Sequence, residues 1–151
     1  MQIYHGKDLR KGRYPAYNQT YLVTVATYER KIIFTDWHTG RLLVKELRAV
    51  SEARMVETLA WVIMPDHLHW LFVLKRHDLA SVLRNIKSRS AIAINKHTGG
   101  AGKIWQKGYH DHAVRRDDDL KTIARYVVAN PLRAGITDKL GSYPLWDAVW
   151  L

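Results

Sequence analysis

The chain has 151 residues, of which 47% are apolar and 25% charged, a composition typical of a soluble globular domain. It has no apolar run near the roughly 18 residues of a membrane-spanning helix. It also has no cysteine, which excludes a disulfide framework and a thiolate metal site. The first residues lack the apolar segment of a signal peptide. We therefore expect one cytoplasmic domain over residues 1–151 and no membrane partner.

The net charge gives the first indication of function. Lys and Arg number 24 against 14 Asp and Glu, for a formal net charge of +10 and a pI near 9.9. Such an excess favours a polyanionic partner, most often nucleic acid; the alternative is a merely soluble basic protein. Residues 67–116 hold ten basic and two acidic residues. A second basic cluster lies near the N-terminus, with Arg10, Lys11 and Arg13 among its members.

The first half of the chain predicts a strand, a helix and a hairpin. Residues 21–28 (YLVTVATY) are rich in β-branched and aromatic side chains, which favours a strand. Apolar residues at helical spacing predict a helix over Arg41–Val56. Leu59–Met64 and His67–Leu74 are short apolar segments separated by Pro65–Asp66. Together these two segments predict a β-hairpin.

The second half predicts two helices around a weaker strand. Leu79–His97 has the spacing of a long amphipathic helix that ends at a glycine-rich segment. Tyr109–Arg115 is the weaker strand, and Asp117–Asn130 is a helix stopped near Pro131. Three tail aromatics are expected on the core: Tyr143, Trp146 and Trp150. This order of elements predicts an α+β fold with an antiparallel sheet and helices packed mainly on one face.

The pair His67 and His69 is the sharpest local feature. Residues two apart on a strand point to the same face, so both imidazoles project together while Leu68 points to the core. Two imidazoles at this spacing can hold one divalent ion. On the pair alone, chance or packing remains the simpler interpretation. His110 and His112 have the same spacing and could face DNA or solvent.

Tyr126 and Asn130 lie four residues apart on the last predicted helix, and hence on one face. A phenol that attacks phosphorus needs its oxygen beside a metal-bound phosphate, and an amide oxygen one turn later can complete the metal shell. Lys121 and Arg125 of the same helix could contact phosphate. Without further context, the simpler interpretation is a packed tyrosine and an asparagine that caps the helix before Pro131.

Three segments taken together resemble the single-tyrosine HUH transposases: MPDHLHWLF, IWQKGYHDHAVRR and ARYVVANPLRAG. The chain is most similar to their branch associated with repetitive extragenic palindromes (REP), and the resemblance runs from about Tyr21 to Trp150. It implies that His67 and His69 bind the metal, that Tyr126 is the nucleophile and that Asn130 occupies the place of a third polar ligand. It also implies a ferredoxin-like or RRM-like fold.

The resemblance further implies a reaction and a substrate. The reaction is metal-dependent cleavage and rejoining of single-stranded DNA through a 5′-phosphotyrosine, with Mg²⁺ or Mn²⁺ as the ion. Relatives recognise hairpins formed by palindromes, as monomers or as homodimers that exchange tyrosine helices. The residues that we expect to contact DNA are Arg10, Lys11, Arg13, Tyr14, Arg84, Lys87, Arg89, Lys96, Lys121 and Arg125.

Two other functions remain open at this point. A non-catalytic nucleic-acid-binding module could use the same RRM-like fold, and it would need neither a metal pair nor a placed tyrosine. A metal-dependent hydrolase could instead combine His67, His69, His110 and His112 in a four-histidine site. The metal stoichiometry and the absence of a covalent adduct would favour that hydrolase.

Overall fold

The structure, a computed structural model, describes Tyr4–His5, residues 18–115 and residues 118–150. The predicted DNA contacts Arg10, Lys11, Arg13 and Tyr14 lie outside the described residues. Among the helices of the described part, none is long and apolar enough to cross a membrane.

A mixed set of strands and helices alternates along the described chain. The strands are β1 (Tyr4–His5), β2 (Thr20–Ala26), β3 (Val56–Met64), β4 (His67–Leu74), β5 (His110–Ala113) and β6 (Trp146–Ala148). The α-helices are α1 (Trp37–Glu52), α2 (Leu79–Thr98), α3 (Leu120–Val128) and α4 (Asn130–Arg133). Short 3₁₀ turns cover Tyr28–Arg30 and Leu140–Ser142. The strands form one antiparallel sheet in the order β1-β5-β2-β4-β3-β6, which confirms the predicted α+β class.

One face of the sheet, here called the two-helix face, is covered by α1 and α2. Leu68 and Trp70 of β4 are fully buried there, in a cluster with Leu43 of α1 and Leu83 of α2. Both helices begin at an aspartate N-cap, and α2 ends at Gly99, whose φ of +70° suits a residue without a Cβ. The two long helices therefore share one face, as predicted.

The opposite face, here called the histidine face, is covered by α3. A β-bulge in β3 between Thr58 and Ala60 changes which residues reach this face. Before the bulge, Val56 packs in the cluster of the two-helix face; after it, Val62 and Met64 pack against α3. Because of the bulge, β3 packs against the main core at one end and against α3 at the other.

Two predicted helix boundaries were wrong. The first helix ends at Glu52 rather than Val56, because the chain turns at Arg54 in a left-handed conformation (φ 59°) and Val56 begins β3. The last helix does not continue to Asn130. It ends at Val128, and Pro131 sits in the first turn of α4, where a missing N–H removes no helical hydrogen bond.

The tail differs from its prediction at one residue. Tyr143 and Trp146 pack against the core clusters, and Trp146 also belongs to β6 on β3. Trp150 keeps 39% of its surface exposed and follows the last described strand. The expectation that Trp150 packs on the core was therefore wrong.

Candidate active site

His67 and His69 project from β4 onto the histidine face. Their Nε2 atoms lie 3.0 Å apart, and their rings are nearly perpendicular, with an interplanar angle of 86°. Leu68 between them is fully buried on the other face. The alternation predicted for this strand is therefore confirmed, and the two imidazoles converge through their Nε2 atoms.

Each imidazole is oriented through its other nitrogen. His67 Nδ1 shares a 2.6 Å hydrogen bond with Asp66 Oδ1, and Arg30 Nε donates to Asp66 Oδ2 at 2.9 Å. His69 Nδ1 shares a 2.9 Å hydrogen bond with the Thr24 hydroxyl on the neighbouring strand. When each Nδ1–H donates, both Nε2 atoms carry lone pairs, the form in which imidazole binds metal.

The spacing of these nitrogens fits a metal ion. Adjacent ligands of an octahedral ion, at bonds of about 2.1 Å, stand about 3 Å apart, and the two Nε2 atoms are 3.0 Å apart. Two facing lone pairs at that distance repel unless a proton or a cation lies between them. In the described part of the chain no group of three or more His, Cys, Asp or Glu side chains could hold a metal. A third ligand from the described residues is therefore of another type.

The local electrostatics keep His69 uncharged, the form in which an imidazole binds metal. Burial lowers the pKa of His69 to about 4, with further contributions from the charges of His67, Arg133 and Arg30. Burial opposes ionisation of Asp66, but hydrogen bonds from His67 and Arg30 outweigh it and lower the pKa of that carboxyl. Near neutral pH the site therefore combines an uncharged His69 with an ionised Asp66.

Tyr126 lies on α3, which packs on the histidine face. Asp119 caps the helix by accepting from the Lys121 and Thr122 amides. Val127 is buried against Val62 and Met64, the residues paired across the sheet with His69 and His67.

The Tyr126 ring is 60% exposed. The helix thus packs on the face that carries the histidine pair, and Tyr126 is accessible from solvent.

Asn130 begins α4, directly after the break at Ala129. Its amide nitrogen donates to the Val127 carbonyl at 2.7 Å, so its Oδ1 is the atom left for a ligand. Arg133, one turn further on, stacks over the Tyr126 ring with its guanidinium carbon 3.8 Å from the ring centroid. The residues on the two sides of the break at Ala129 therefore combine a phenol, an amide oxygen and a cation in one short segment.

The other two histidines do not join this pair. Thr24 of β2 pairs with His69 on one side and His110 on the other, so β5 is two strands from β4, about 10 Å away. His110 is exposed and His112 is buried. The proposed four-histidine hydrolase site is therefore absent from the described residues.

The predicted DNA contacts on the helices differ in their surroundings. Arg84, Lys96, Lys121 and Arg125 are exposed. The Lys87 ammonium donates to the carbonyls of Gln106 and Gly108, and burial lowers its pKa. Arg89 forms a 2.9 Å ion pair with the buried Glu46. Lys87 and Arg89 therefore each have a structural partner in addition to any DNA contact.

Thr24, Asp66, Arg30 and Arg133 were missed in the sequence. Asp66 stands next to His67, and this adjacency was the only available signal. Thr24 and Arg30 depend on which strand and which turn lie beside the hairpin. Arg133 depends on the helix break at Ala129, which the predicted continuous helix did not include.

Comparison with known proteins identifies relatives over most of the chain. The family described as "Transposase IS200 like" matches residues 16–130. The REP-associated tyrosine transposase of Escherichia coli K12 is 27% identical over 136 residues, covering 87% of this chain and 78% of that protein. A putative REP-associated tyrosine transposase of Haemophilus influenzae is 26% identical over 140 residues, covering 82% of this chain and 76% of that protein.

Solved structures show the same fold. A REP-associated tyrosine transposase bound to a REP hairpin superposes with a TM-score of 0.71 at 26% identity, covering 89% of this chain and 79% of that one. A putative transposase from Deinococcus radiodurans has a TM-score of 0.55 at 23% identity, covering 78% and 95%, and shares the fold. The family match, the relatives and the shared fold agree: this chain belongs to the IS200-like family of transposases, which are enzymes that act on single-stranded DNA.

Proposed function

We propose that the chain is a single-strand DNA endonuclease and strand transferase that acts on palindromic REP-type hairpins through a 5′-phosphotyrosine on Tyr126. The observation that carries this proposal is the convergence of the His67 and His69 Nε2 atoms on the sheet face that α3 covers. The relatives named as REP-associated tyrosine transposases support the substrate class. The whole chain acts as one such domain, in the cytoplasm, as a monomer or a homodimer.

The histidine pair fits a divalent ion, and transposases of this family generally use one. His67 Nε2, His69 Nε2 and Asn130 Oδ1 would hold it, and Mg²⁺ or Mn²⁺ is the proposed ion. When bound, such an ion offsets the charge of the scissile phosphate and orients it for in-line attack. Asp66 and Thr24 hold the imidazoles with their lone pairs toward the ion.

Tyr126 supplies the nucleophile. Its oxygen attacks phosphorus, so that an O–P bond to the tyrosine forms while the bond from phosphorus to the 3′ oxygen breaks. The phenol loses its proton and the departing 3′ oxygen gains one. Because the phosphotyrosine retains the energy of the broken phosphodiester, a second 3′-hydroxyl can reverse the step without a nucleotide cofactor.

The basic residues supply the DNA-binding surface. The exposed Arg84 and Lys96 on α2 and Lys121 and Arg125 on α3 would contact the phosphate backbone. Lys87 and Arg89 would add to the positive field beside their structural contacts. The N-terminal residues Arg10, Lys11, Arg13 and Tyr14 are proposed to meet the foot of the hairpin.

A covalent-adduct assay tests the proposal. End-labelled single-stranded hairpins from repeats flanking the gene are mixed with wild-type protein, Tyr126→Phe or the control Tyr28→Phe, in Mn²⁺, Mg²⁺ or EDTA. We expect the label to move with the protein on a denaturing gel for wild type and the control, only with metal, and never for Tyr126→Phe.

Two other outcomes would contradict the mechanism. Specific hairpin binding without adduct or cleavage in any metal would identify a non-catalytic binding module. Cleavage that persists in Tyr126→Phe would indicate that a water molecule at the histidine pair, and not Tyr126, attacks the phosphate.

A further inference from the structure

Arg133 has no role in the sequence-based prediction of the site, and the family match does not assign one. Its guanidinium lies over the face of the Tyr126 ring at 3.8 Å. Its charge also acts on His69, so Arg133 lies within electrostatic range of the proposed metal pair as well. No carboxylate of the described residues forms an ion pair with it. Arg133 is therefore a cation available to an anion, between the proposed nucleophile and the proposed metal ligands.

The distance of 3.8 Å between the Arg133 guanidinium carbon and the Tyr126 ring centroid suits a stacked guanidinium. An arginine that stacks on an aromatic ring contacts it with the flat face of the guanidinium, while its N–H groups point outward in the plane. These in-plane donors match the oxygens of a phosphate, which arginine binds through two parallel hydrogen bonds. The ring of Tyr126 thus holds the arginine without using its hydrogen-bonding capacity.

The backbone fixes this arrangement. α3 ends at Val128, and the turn at Ala129 starts α4, which carries Arg133 only one turn after Asn130. A continuous helix would place residues 126 and 133 two turns apart along the axis, about 10 Å. Across the break at Ala129, the Arg133 guanidinium lies over the Tyr126 ring. The contact therefore joins α3 to α4 across the break.

We infer that Arg133 is a phosphate-binding catalytic residue: the Tyr126 ring holds its guanidinium in place, and its in-plane N–H groups bind the oxygens of the scissile phosphate. This inference rests on the proposed function, because it names a further group at the same centre. In the transition state, the phosphate gains negative charge on the oxygens that such donors contact.

Single-turnover kinetics test the inference. Arg133→Gln, Arg133→Lys and the control Arg48→Gln, an exposed arginine on α1, are compared at saturating hairpin for the rate of adduct formation. We expect Arg133→Gln to lower this rate by about 100-fold, as for the loss of one preorganised donor, with hairpin affinity changed less than about threefold. Arg133→Lys should recover only part of the rate, because lysine keeps the positive charge but lacks the planar pair of donors.

The possible results separate the two proposals. No adduct from wild-type protein overturns the proposed function and this inference with it. Adduct from wild type, with Arg133→Gln within about threefold of the wild-type rate, overturns the inference alone. A parallel loss of hairpin affinity and rate would assign Arg133 to general DNA binding, which also contradicts it.

A spectroscopic measurement tests the contact with phosphate directly. In Tyr126→Phe, which keeps the aromatic ring but cannot form the adduct, the Arg133 Nε–H resonance is followed by NMR. We expect it to shift when the hairpin binds, and to stay at its free position when the scissile phosphate, located from the cleavage product, is replaced by a neutral methylphosphonate. An equal shift with both hairpins would overturn the inference.

Discussion

At the scale of single residues, the site depends on side chains that would not touch the metal ion. Thr24 is hydrogen-bonded to His69 Nδ1, and Asp66 is hydrogen-bonded to His67 Nδ1. These bonds leave the Nε2 atom of each ring to face the site. Arg30 in turn holds Asp66. The orientation of the pair is therefore set by residues of β2, of the turn after it and of the β3–β4 hairpin.

Thr24→Val is expected to weaken Mn²⁺ binding. Valine has nearly the shape of threonine but cannot hydrogen-bond His69 Nδ1, so the ring loses its orienting partner. We expect an affinity loss of at least about tenfold, measured by calorimetric titration of the protein with Mn²⁺. Thr20→Val, on the same strand and the same face, is the matched control. Equal affinity of Thr24→Val and wild type would show that the hydrogen bond has no role in binding.

Tyr143 is expected to make stability depend on pH in the alkaline range. Burial raises the pKa of its phenol from 10.0 to about 12, and its hydroxyl donates to the Ile63 carbonyl. The neutral phenol is favoured in the folded state, so its contribution is complete below pH 10 and is lost as the pH rises toward about 12.

Urea unfolding across that pH range, compared with Tyr143→Phe, measures this contribution. The difference in unfolding free energy between wild type and Tyr143→Phe should shrink as the pH rises, while Tyr28→Phe should follow wild type. A constant difference across the range would mean that Tyr143 has the same pKa in the folded and unfolded chain.

At the scale of elements, α3 is the part that brings the proposed nucleophile to the sheet. Its contact with β3 is apolar and runs through Val127, Val62 and Met64. Because Val62 and Met64 pair with His69 and His67, the packing of α3 and the position of the histidines share the same strands. A loss of packing at Val127 should therefore affect both stability and chemistry.

Val127→Ala is expected to lower the free energy of unfolding by about 2 kcal/mol, from the lost apolar burial and the cavity left behind. It should also reduce adduct formation, since α3 would be held less firmly against the histidine face. The matched control is Ile92→Ala: Ile92 is 68% exposed on α2, so its truncation should change stability by less than about 0.5 kcal/mol. Urea denaturation measures the stability of both variants, and the covalent-adduct assay measures the chemistry. An unchanged stability for Val127→Ala would contradict the packing of α3 described here.

Elements with strong local patterns could be predicted from the sequence, and elements fixed by long-range contacts could not. β4 was predicted with its exact bounds, since Pro65–Asp66 and the alternation around Leu68 define it locally. The helix that ends at Glu52 was extended too far, because no glycine or proline precedes β3 to mark the turn at Arg54. β6 was missed: its three residues form a strand only because β3 offers a pairing edge.

The site was predicted in the same uneven way. The convergence of His67 and His69 follows from strand alternation, which is local. Their partner Thr24 is 45 residues away from His69 in the chain, and only the pairing of β2 with β4 brings the two together. The position of Arg133 over Tyr126 depends on a helix break whose exact residue the proline did not reveal.

At the scale of the whole molecule, the charge of +10 should dominate the affinity for DNA. Each phosphate contact by Lys or Arg releases condensed counterions, so affinity falls as salt rises. The exposed cations of α2 and α3 are the described groups proposed to make such contacts. The salt dependence therefore reports how many of them bind.

Arg84→Gln is expected to weaken hairpin binding at all sequences and to reduce the slope of log Kd against log salt by about 1. Lys45→Gln, which removes an exposed cation from α1, is the matched control and should leave the slope unchanged. Fluorescence anisotropy over a salt series measures both. Equal slopes for Arg84→Gln and wild type would show that Arg84 makes no phosphate contact.

The bulge in β3 changes how its residues must be counted. Before it, the even-numbered Val56 and Thr58 share a face with Leu74 and Phe72; after it, the even-numbered Ala60, Val62 and Met64 share the opposite face. One inserted residue therefore reverses the parity of the strand between its two ends. Deletion of Leu59 would make the ladder regular and leave the other residues of β3 with their present partners and faces, whereas deletion of a paired residue such as Trp61 would turn one half of the strand over. One extra residue, Leu59, thus determines which residues of β3 pack under α3, although its own side chain takes no part in the proposed chemistry.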